Sequence, residues 1–216
     1  MSFQTMLESM GTGMLKSVAI FFWTLLFSLP LGLIVAVIRQ KRLPVVTQVI
    51  KIYISLMRGT PLMLQLLVVF FGPFYLFKIR LSDSYRFIAV IIAFVLNYSA
   101  YFAEIYRSGI ESMPLGQYEA ATVLGYSKTQ TFIKIILPQV IKRIFPALTN
   151  EVITLVKDTS LAFSIAYVEM FTVAKQIAAK ETTMLPFVIA GLFYYVFNFL
   201  VAFASERIEK KMSYYR

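Results

Sequence analysis

Apolar residues gather into five long runs along the chain. Each approaches the length needed to cross a hydrocarbon core of roughly 30 Å, about 20 residues at 1.5 Å per residue. The first, Ser17 to Ile38, carries no charge; it contains Pro30 and Gly32, which a membrane helix tolerates, and Arg39, Lys41 and Arg42 end it. The second, about Ile52 to Phe77, holds a single charge, Arg58, followed by Gly59, Thr60 and Pro61, which disturb a helix. The third is Phe87 to Ala103, with an extension past Glu104. The fourth, within Ile144 to Val168, is interrupted by Glu151 and by Lys157, Asp158, Thr159 and Ser160. The fifth, Thr182 to Ser205, is uncharged and is followed by Glu206, Arg207, Lys210 and Lys211. The pattern predicts an all-α membrane protein with about five transmembrane helices, residues 1–216 forming one membrane domain. Only Glu8 and Lys16 are charged before the first run. That is a poor match to the basic n-region of a cleavable signal, so the first run is expected to stay as a helix.

Composition narrows the chemistry. Of 216 residues, 59% are hydrophobic and 15% charged, far more apolar than an average soluble domain. Cysteine and histidine are both absent, which excludes disulfides, thiolate or imidazole metal sites and histidine acid–base catalysis. No metal, no cofactor and no catalytic residue is expected. The net charge of +10 is spread between apolar runs rather than gathered in a patch, so it speaks for topology and not for nucleic acid. With five crossings and the N-terminus outside, the cytoplasmic side holds Arg39, Lys41, Arg42, Lys51, Arg107, Lys128, Lys134, Lys142, Arg143, Arg207, Lys210, Lys211 and Arg216, thirteen basic residues. The outside holds six: Lys16, Lys78, Arg80, Arg86, Lys175 and Lys180. The excess favours a plasma-membrane, multi-pass protein with the N-terminus outside and the C-terminus in the cytoplasm.

Between the third and fourth runs, residues 106–143 form a cytoplasmic loop too long for a turn and too patterned for a disordered linker. Ala120, Ala121 and Leu124 predict a short helix, Gly125 suits a helix end at positive φ, and Ser127 suits the cap of a second helix. Phe132, Ile135 and Ile136 continue at helical spacing until Pro138. Glu119, Ala120, Ala121, Gly125, Ile135, Leu137 and Pro138 match, position for position, the EAA loop of ABC-importer permeases, in which EAA is followed after three residues by Gly and after nine more by Ile-x-Leu-Pro. In that family, which this chain resembles, the first short helix docks in a groove of an ATP-binding subunit. The resemblance therefore implies an ATPase-coupling role for Glu119, Ala120, Ala121 and Gly125 and a type I ABC importer permease fold with a cytoplasmic coupling helix. Arg58-Gly59-Thr60-Pro61, Asn97-Tyr98-Ser99-Ala100-Tyr101 with Glu104, and Lys157-Asp158-Thr159-Ser160-Leu161 resemble the polar amino-acid subfamily, of the histidine, glutamine and arginine type. The implied partners are an ATP-binding subunit, an extracytoplasmic solute-binding protein, a second permease subunit, identical or not, and an amino-acid substrate. The chain has no phosphate-binding G-x-x-x-x-G-K-[ST] loop, so hydrolysis belongs to the partner and this subunit is not an enzyme.

Charges inside a span cost roughly 2.5–3.5 kcal/mol each on insertion scales, which makes them functional candidates. Asn97 and Glu104 are seven residues apart, two turns and about 10 Å along one helix face, where a small zwitterion meets both. Glu104 has a second reading, an i,i+3 pair with Arg107. Asp158 either faces a ligand or caps a half-helix beginning near Thr159, with Lys157 as its ion partner and Thr159 and Ser160 beside it. Arg58 either pairs with a substrate carboxylate or holds the break at Gly59 to Pro61, and Gln65, seven residues on, faces the same cavity. If Glu104 and Asp158 both face that cavity, they favour a cationic substrate, arginine, lysine or histidine. The aromatic stretch Phe193, Tyr194, Tyr195, Phe197 and Phe199 reads as packing and interfacial anchoring. Three other classes stand against the importer. An ion-coupled secondary transporter usually shows more spans and internal repeats. An intramembrane enzyme finds here no histidine and no Gly-x-Gly-Asp motif, and a membrane scaffold needs no patterned loop.

Overall fold

The computed structural model describes residues 2–41 and 43–212. Arg42 and Arg216, two of the basic residues counted on the cytoplasmic side, lie outside them. Every element among the described residues is helical: α1 (Phe3–Gln40), α2 (Pro44–Gly59), α3 (Leu62–Phe77), α4 (Asp83–Glu111), α5 (Leu115–Val123), α6 (Lys128–Thr131), a π-helical turn (Phe132–Ile136), α7 (Leu137–Asp158), a 3-10 segment (Thr159–Ile165), α8 (Met170–Glu181) and α9 (Leu185–Lys211). By length and composition, α1, α4 and α9 can each cross a membrane alone. The bent pairs α2–α3 and α7–α8 raise the number of crossings to as many as five.

The helices run beyond the apolar runs that announced them. α1 has 38 residues, about 57 Å at the helical rise, and starts fourteen residues before Ser17. The Ser2 hydroxyl caps it by accepting from the Thr5 amide. Its first half is too polar to read as a span, yet Met6, Met10 and Met14, one turn apart, bury against Met170, Ala174 and Ile177 of α8 and Ile189 of α9. The second expected span, drawn as one stretch from Ile52 to Phe77, is instead two helices meeting at 110°. The fourth, drawn as Ile144 to Val168, starts earlier, at Leu137, and passes through the 3-10 segment into α8 with a bend of 57°.

Pro138 does not end its helix. Proline removes an amide donor and crowds the carbonyl one turn back, but here the turn before it is widened: the Leu137 amide bonds to the Phe132 carbonyl five residues back. The π turn opens the space the ring needs, so the helix runs on to Asp158.

The buried face of α1 is small and partly polar: Gly13, Ser17, Ile20, Thr24, Ser28, Gly32 and Ala36. In lipid the exposed side is as apolar as any core, so small residues that let backbones approach mark the packed side. At the α1–α4 crossing, a Cβ on Gly32 would stand 2.8 Å from Phe102 Cβ and 3.0 Å from the Ser99 carbonyl oxygen. At the α4–α7 crossing, a Cβ on Gly109 would overlap the Ile144 side chain. Phe94, Tyr98 and Phe102 of α4 sit at the centre, with Leu66 and Phe70 of α3, Leu155 of α7 and Ala162 and Ile165 of the 3-10 segment around them.

Candidate functional site

The break between α2 and α3 organises one side of the site. Ending α2 at Gly59 frees carbonyls that have no water to bond, so side chains must answer them. The Met57 carbonyl accepts from both Gln65 Nε2 at 2.9 Å and Asn97 Nδ2 at 2.9 Å, and Asn97 Nδ2 also donates to Gln65 Oε1 at 3.0 Å. Gln65 Nε2 further reaches the Thr60 carbonyl and hydroxyl. Asn97, 4% exposed, thus meets Gln65 on the break, whereas the sequence placed Asn97 beside Glu104 and Gln65 on the cavity of Arg58. Tyr53 reinforces this side by donating to the Leu96 carbonyl at 2.6 Å.

Arg58, exposed at the end of α2, projects over the Tyr101 ring, 5.3 Å from its centroid. Both line a cavity of about 390 Å³ together with Glu104, Ile105, Ser108, Gly109, Ser112, Arg143, Ile144, Ala147 and Glu151. The cavity therefore lies between α4 and α7, with the end of α2 above it. Asn97, Gln65, Asp158, Thr159 and Ser160 are outside that lining.

Of the two readings of Glu104, the pair with Arg107 is present, and a second arginine joins it. Arg39 Nη1 donates to Glu104 Oε2 at 2.7 Å, while Arg107 grips Glu104 and also reaches Glu111. An ion ladder Arg39–Glu104–Arg107–Glu111 thus ties the end of α1 to the end of α4. Glu151 is different. It faces the same cavity from α7 and has no hydrogen bond or ion pair among the described residues, only the longer-range attraction of Arg58 and repulsion of Asp158.

Asp158 does not cap the segment that follows it. The chain stays in the right-handed helical region through Asp158 into Thr159, and the Asp158 carboxylate accepts from the Tyr98 hydroxyl at 2.6 Å. Lys157 is exposed. Thr159 and Ser160 hydroxyls bond back to the carbonyls of Val156 and Lys157, as hydroxyls in helices commonly do. The true cap is further on. Glu169, fully buried, accepts from the amides of Phe171 and Thr172 at the start of α8 and from the hydroxyls of Thr172, Tyr194 and Ser17.

Sequence reasoning missed both acids that matter here. Glu151 was visible as an interruption of the fourth apolar run but not as a cavity residue. Glu169 follows Val168, one residue past the end of that run, where an acid reads as the edge of a loop.

Residues 115–131 follow their expected local rules. α5 ends with Gly125 at φ +77, and the amides of Gly125 and Tyr126 bond to the carbonyls of Thr122 and Ala121, the paired closure that glycine at this position permits. Ser127 and Gln130 cap α6 reciprocally. Ala121 is buried, whereas Glu119, Ala120, Val123 and Leu124 are exposed, the last two at 88% and 73%. Gln139 of α7 donates to Gln117 of α5 at 3.2 Å, so the exposed helix is fastened to the base of the cavity helix.

Residues 28–214 match the family model described as binding-protein-dependent transport system inner membrane component. The L-cystine transport system permease protein TcyB of Bacillus subtilis (strain 168) is 34% identical over 205 residues, 94% of this chain and 86% of that protein. The arginine transport system permease protein ArtQ of the same organism is 38% identical over 161 residues, 74% of this chain and 72% of that one. A crystal structure of an amino acid ABC transporter with histidines superposes with a TM-score of 0.87 at 28% identity, covering 98% of this chain and 99% of the other.

Proposed function

The chain belongs to the family of binding-protein-dependent transport system inner membrane components, and from that premise we propose that it is a permease subunit of an ATP-driven importer of amino acids with cationic side chains, arginine, lysine and histidine. Its fold is that of a type I ABC importer permease. One observation supports the substrate class: Arg58 and Glu151 line the same cavity and attract each other across it with no hydrogen bond or ion pair between them. An amino acid with a basic side chain fits between the two charges, its carboxylate at Arg58 and its cation at Glu151, and replaces their longer-range attraction with two direct ion pairs. Glu104, already neutralised by Arg39 and Arg107, forms the fixed edge of the wall. Asp158 stands seven residues beyond Glu151 on α7, on the same face about 10 Å further along; bonded by Tyr98 beyond the cavity lining, it is a second carboxylate on the proposed route rather than in the cavity itself. Asn97 and Gln65 serve binding by holding the break that aims Arg58, and Thr159 and Ser160 mark the point where α7 changes pitch beside Asp158.

Related proteins carry cystine and arginine, so the family admits both charged and neutral cargo and the cavity acids decide. The working assembly has a second permease subunit beside this one, ATP-binding subunits docked on Glu119, Ala120, Ala121 and Gly125, and a solute-binding protein outside, with the N-terminus of this chain on that outer side. The test is uptake of each of the twenty amino acids by the complex reconstituted with its ATP-binding subunit and binding protein. Arginine, lysine or histidine should be taken up best, and Glu151→Gln should raise KM for them by about tenfold, the effect of losing one charge-assisted hydrogen bond, while assembly persists. Preferred uptake of neutral amino acids, or an unchanged KM in Glu151→Gln, would refute the cation reading.

A further inference from the structure

The stretch from Thr159 to Glu169 takes no part in lining the cavity, yet it is held more tightly than a connection requires. It leaves α7 immediately after Asp158, turns as 3-10 helix to Ile165, and passes through Ala166 at φ +57 before α8. A left-handed backbone is unfavourable for any residue with a Cβ, so neighbours must impose it. Ala162 and Ile165 bury among Phe70, Phe94 and Tyr98, which couples the stretch to the tyrosine that bonds Asp158.

The Thr172 hydroxyl holds the Tyr167 carbonyl at 2.9 Å, and two further side chains anchor the stretch, unequally. At its far end Glu169, with no exposure, collects five hydrogen bonds, two from the α8 backbone and three from Ser17 of α1, Thr172 of α8 and Tyr194 of α9. The backbone of α1 closes on the same point: a Cβ on Gly13 would stand 3.0 Å from Met170 Cα. In the middle, Arg86 of α4 donates from Nη1 to the Ala166 carbonyl at 3.0 Å. Arg86 is 35% exposed, pairs with the surface residue Asp83, and its Nε is buried without a partner. One anchor is saturated and sealed, whereas the other is a single bond open to solvent.

We propose that Glu169 and Arg86 are positioning residues for transport: Glu169 is the fixed pivot, and Arg86 the releasable latch, of a segment, residues 159–169, that closes the route at the end of the molecule where α4 begins. This rests on reading the chain as an importer permease whose α4 starts on the outer side. Release of Arg86 lets the segment turn about Glu169 and draws Asp158, the residue before it, away from the Tyr98 hydroxyl of α4.

The test uses the complete complex in liposomes and measures ATP hydrolysis with and without liganded binding protein. Arg86→Ala should raise hydrolysis in the absence of binding protein by about tenfold, the fold-change of one hydrogen bond to a charged group. Arg86→Lys, which keeps a donor for the Ala166 carbonyl, should remain dependent on binding protein; a role in folding alone would not divide the two this way. The chain has no cysteine, so Arg86→Cys combined with Ala166→Cys can be joined by a short bis-thiol reagent. Joining should stop uptake and suppress unstimulated hydrolysis. This pair decides the matter if Arg86→Ala does not assemble. Unstimulated hydrolysis at the wild-type rate in Arg86→Ala, or full uptake by the joined pair, would overturn the latch. The hydrolysis readout does not depend on which amino acid is carried, so a failed substrate assignment leaves this result interpretable.

Discussion

At the scale of single residues, the sharpest contrast is between two glutamates on one cavity. Glu104 is 23% exposed on its side chain and sits between Arg39 and Arg107, at 18% and 22%, whereas Glu151 has only the longer-range attraction of Arg58. Removing Glu104 leaves two half-buried guanidiniums facing each other, so Glu104→Ala should destabilise the chain by about 2–4 kcal/mol. Arg39→Leu combined with Glu104→Leu should cost less than the sum of the single changes. Thermal unfolding of the purified complex in detergent checks both, and additive effects would show that the α1–α4 ion pair carries no coupling. The same pair shows what a sequence discloses. Arg107 is three residues from Glu104 and its partnership follows from helical spacing, but Arg39 is 65 residues away, and only the crossing of α1 on α4 at Gly32 brings it there. Glu151 and Glu169 escaped for the same reason, because a buried acid is defined by neighbours that one strand of text does not show.

At the scale of elements, local rules were legible and lengths were not. Gly125 ends α5 at positive φ and Ser127 caps α6, both readable because a cap is chosen within four residues. The lengths of α1 and α4 were underestimated because hydropathy stops where polar residues begin, while a helix continues as long as something packs against it, as Met6 and Met10 do against α8. The sharpness of the α2–α3 bend was hidden too: Gly59 and Pro61 announce a disturbance, but an angle of 110° is tolerable only because Asn97 and Gln65 satisfy the Met57 carbonyl. The coupling segment allows a test at this scale. Gly125→Val imposes a left-handed backbone on a β-branched residue, at about 1–2 kcal/mol, and should fray the end of α5 without touching the cavity. Uptake should fall while binding of the ATP-binding subunit weakens in step, measured by copurification. Normal uptake with normal copurification would argue that the α5 terminus is not a docking element.

At the scale of the whole molecule, the proposed topology is the one in which the charge pattern, the bent pairs and the proposed coupling segment agree. With the N-terminus outside, α1 carries the chain inward to Arg39 and Lys41. If α2–α3 were a re-entrant loop that returned to the same side, the connection at Lys78 and Arg80 would be cytoplasmic and α4 would deliver α5 to the outside, where no ATP-binding subunit exists. The proposed docking of α5 on an ATP-binding subunit and the basic residues around it, Arg107, Lys128 and Lys134, therefore predict that α2–α3 crosses despite its bend. The same logic applied to α7–α8 carries the chain outward again and lets α9 return it, placing Arg207, Lys210 and Lys211 inside with the rest of the basic excess. The absence of cysteine from the chain makes this directly measurable with single cysteines and a membrane-impermeant thiol reagent on intact cells. Ser2→Cys, Arg80→Cys and Thr183→Cys should label from outside, and Gln117→Cys and Lys211→Cys only after permeabilisation. Protection of Arg80→Cys together with labelling of Gln117→Cys would mean that α2–α3 does not cross, and would move the coupling segment, and with it the importer reading, to the wrong side of the membrane.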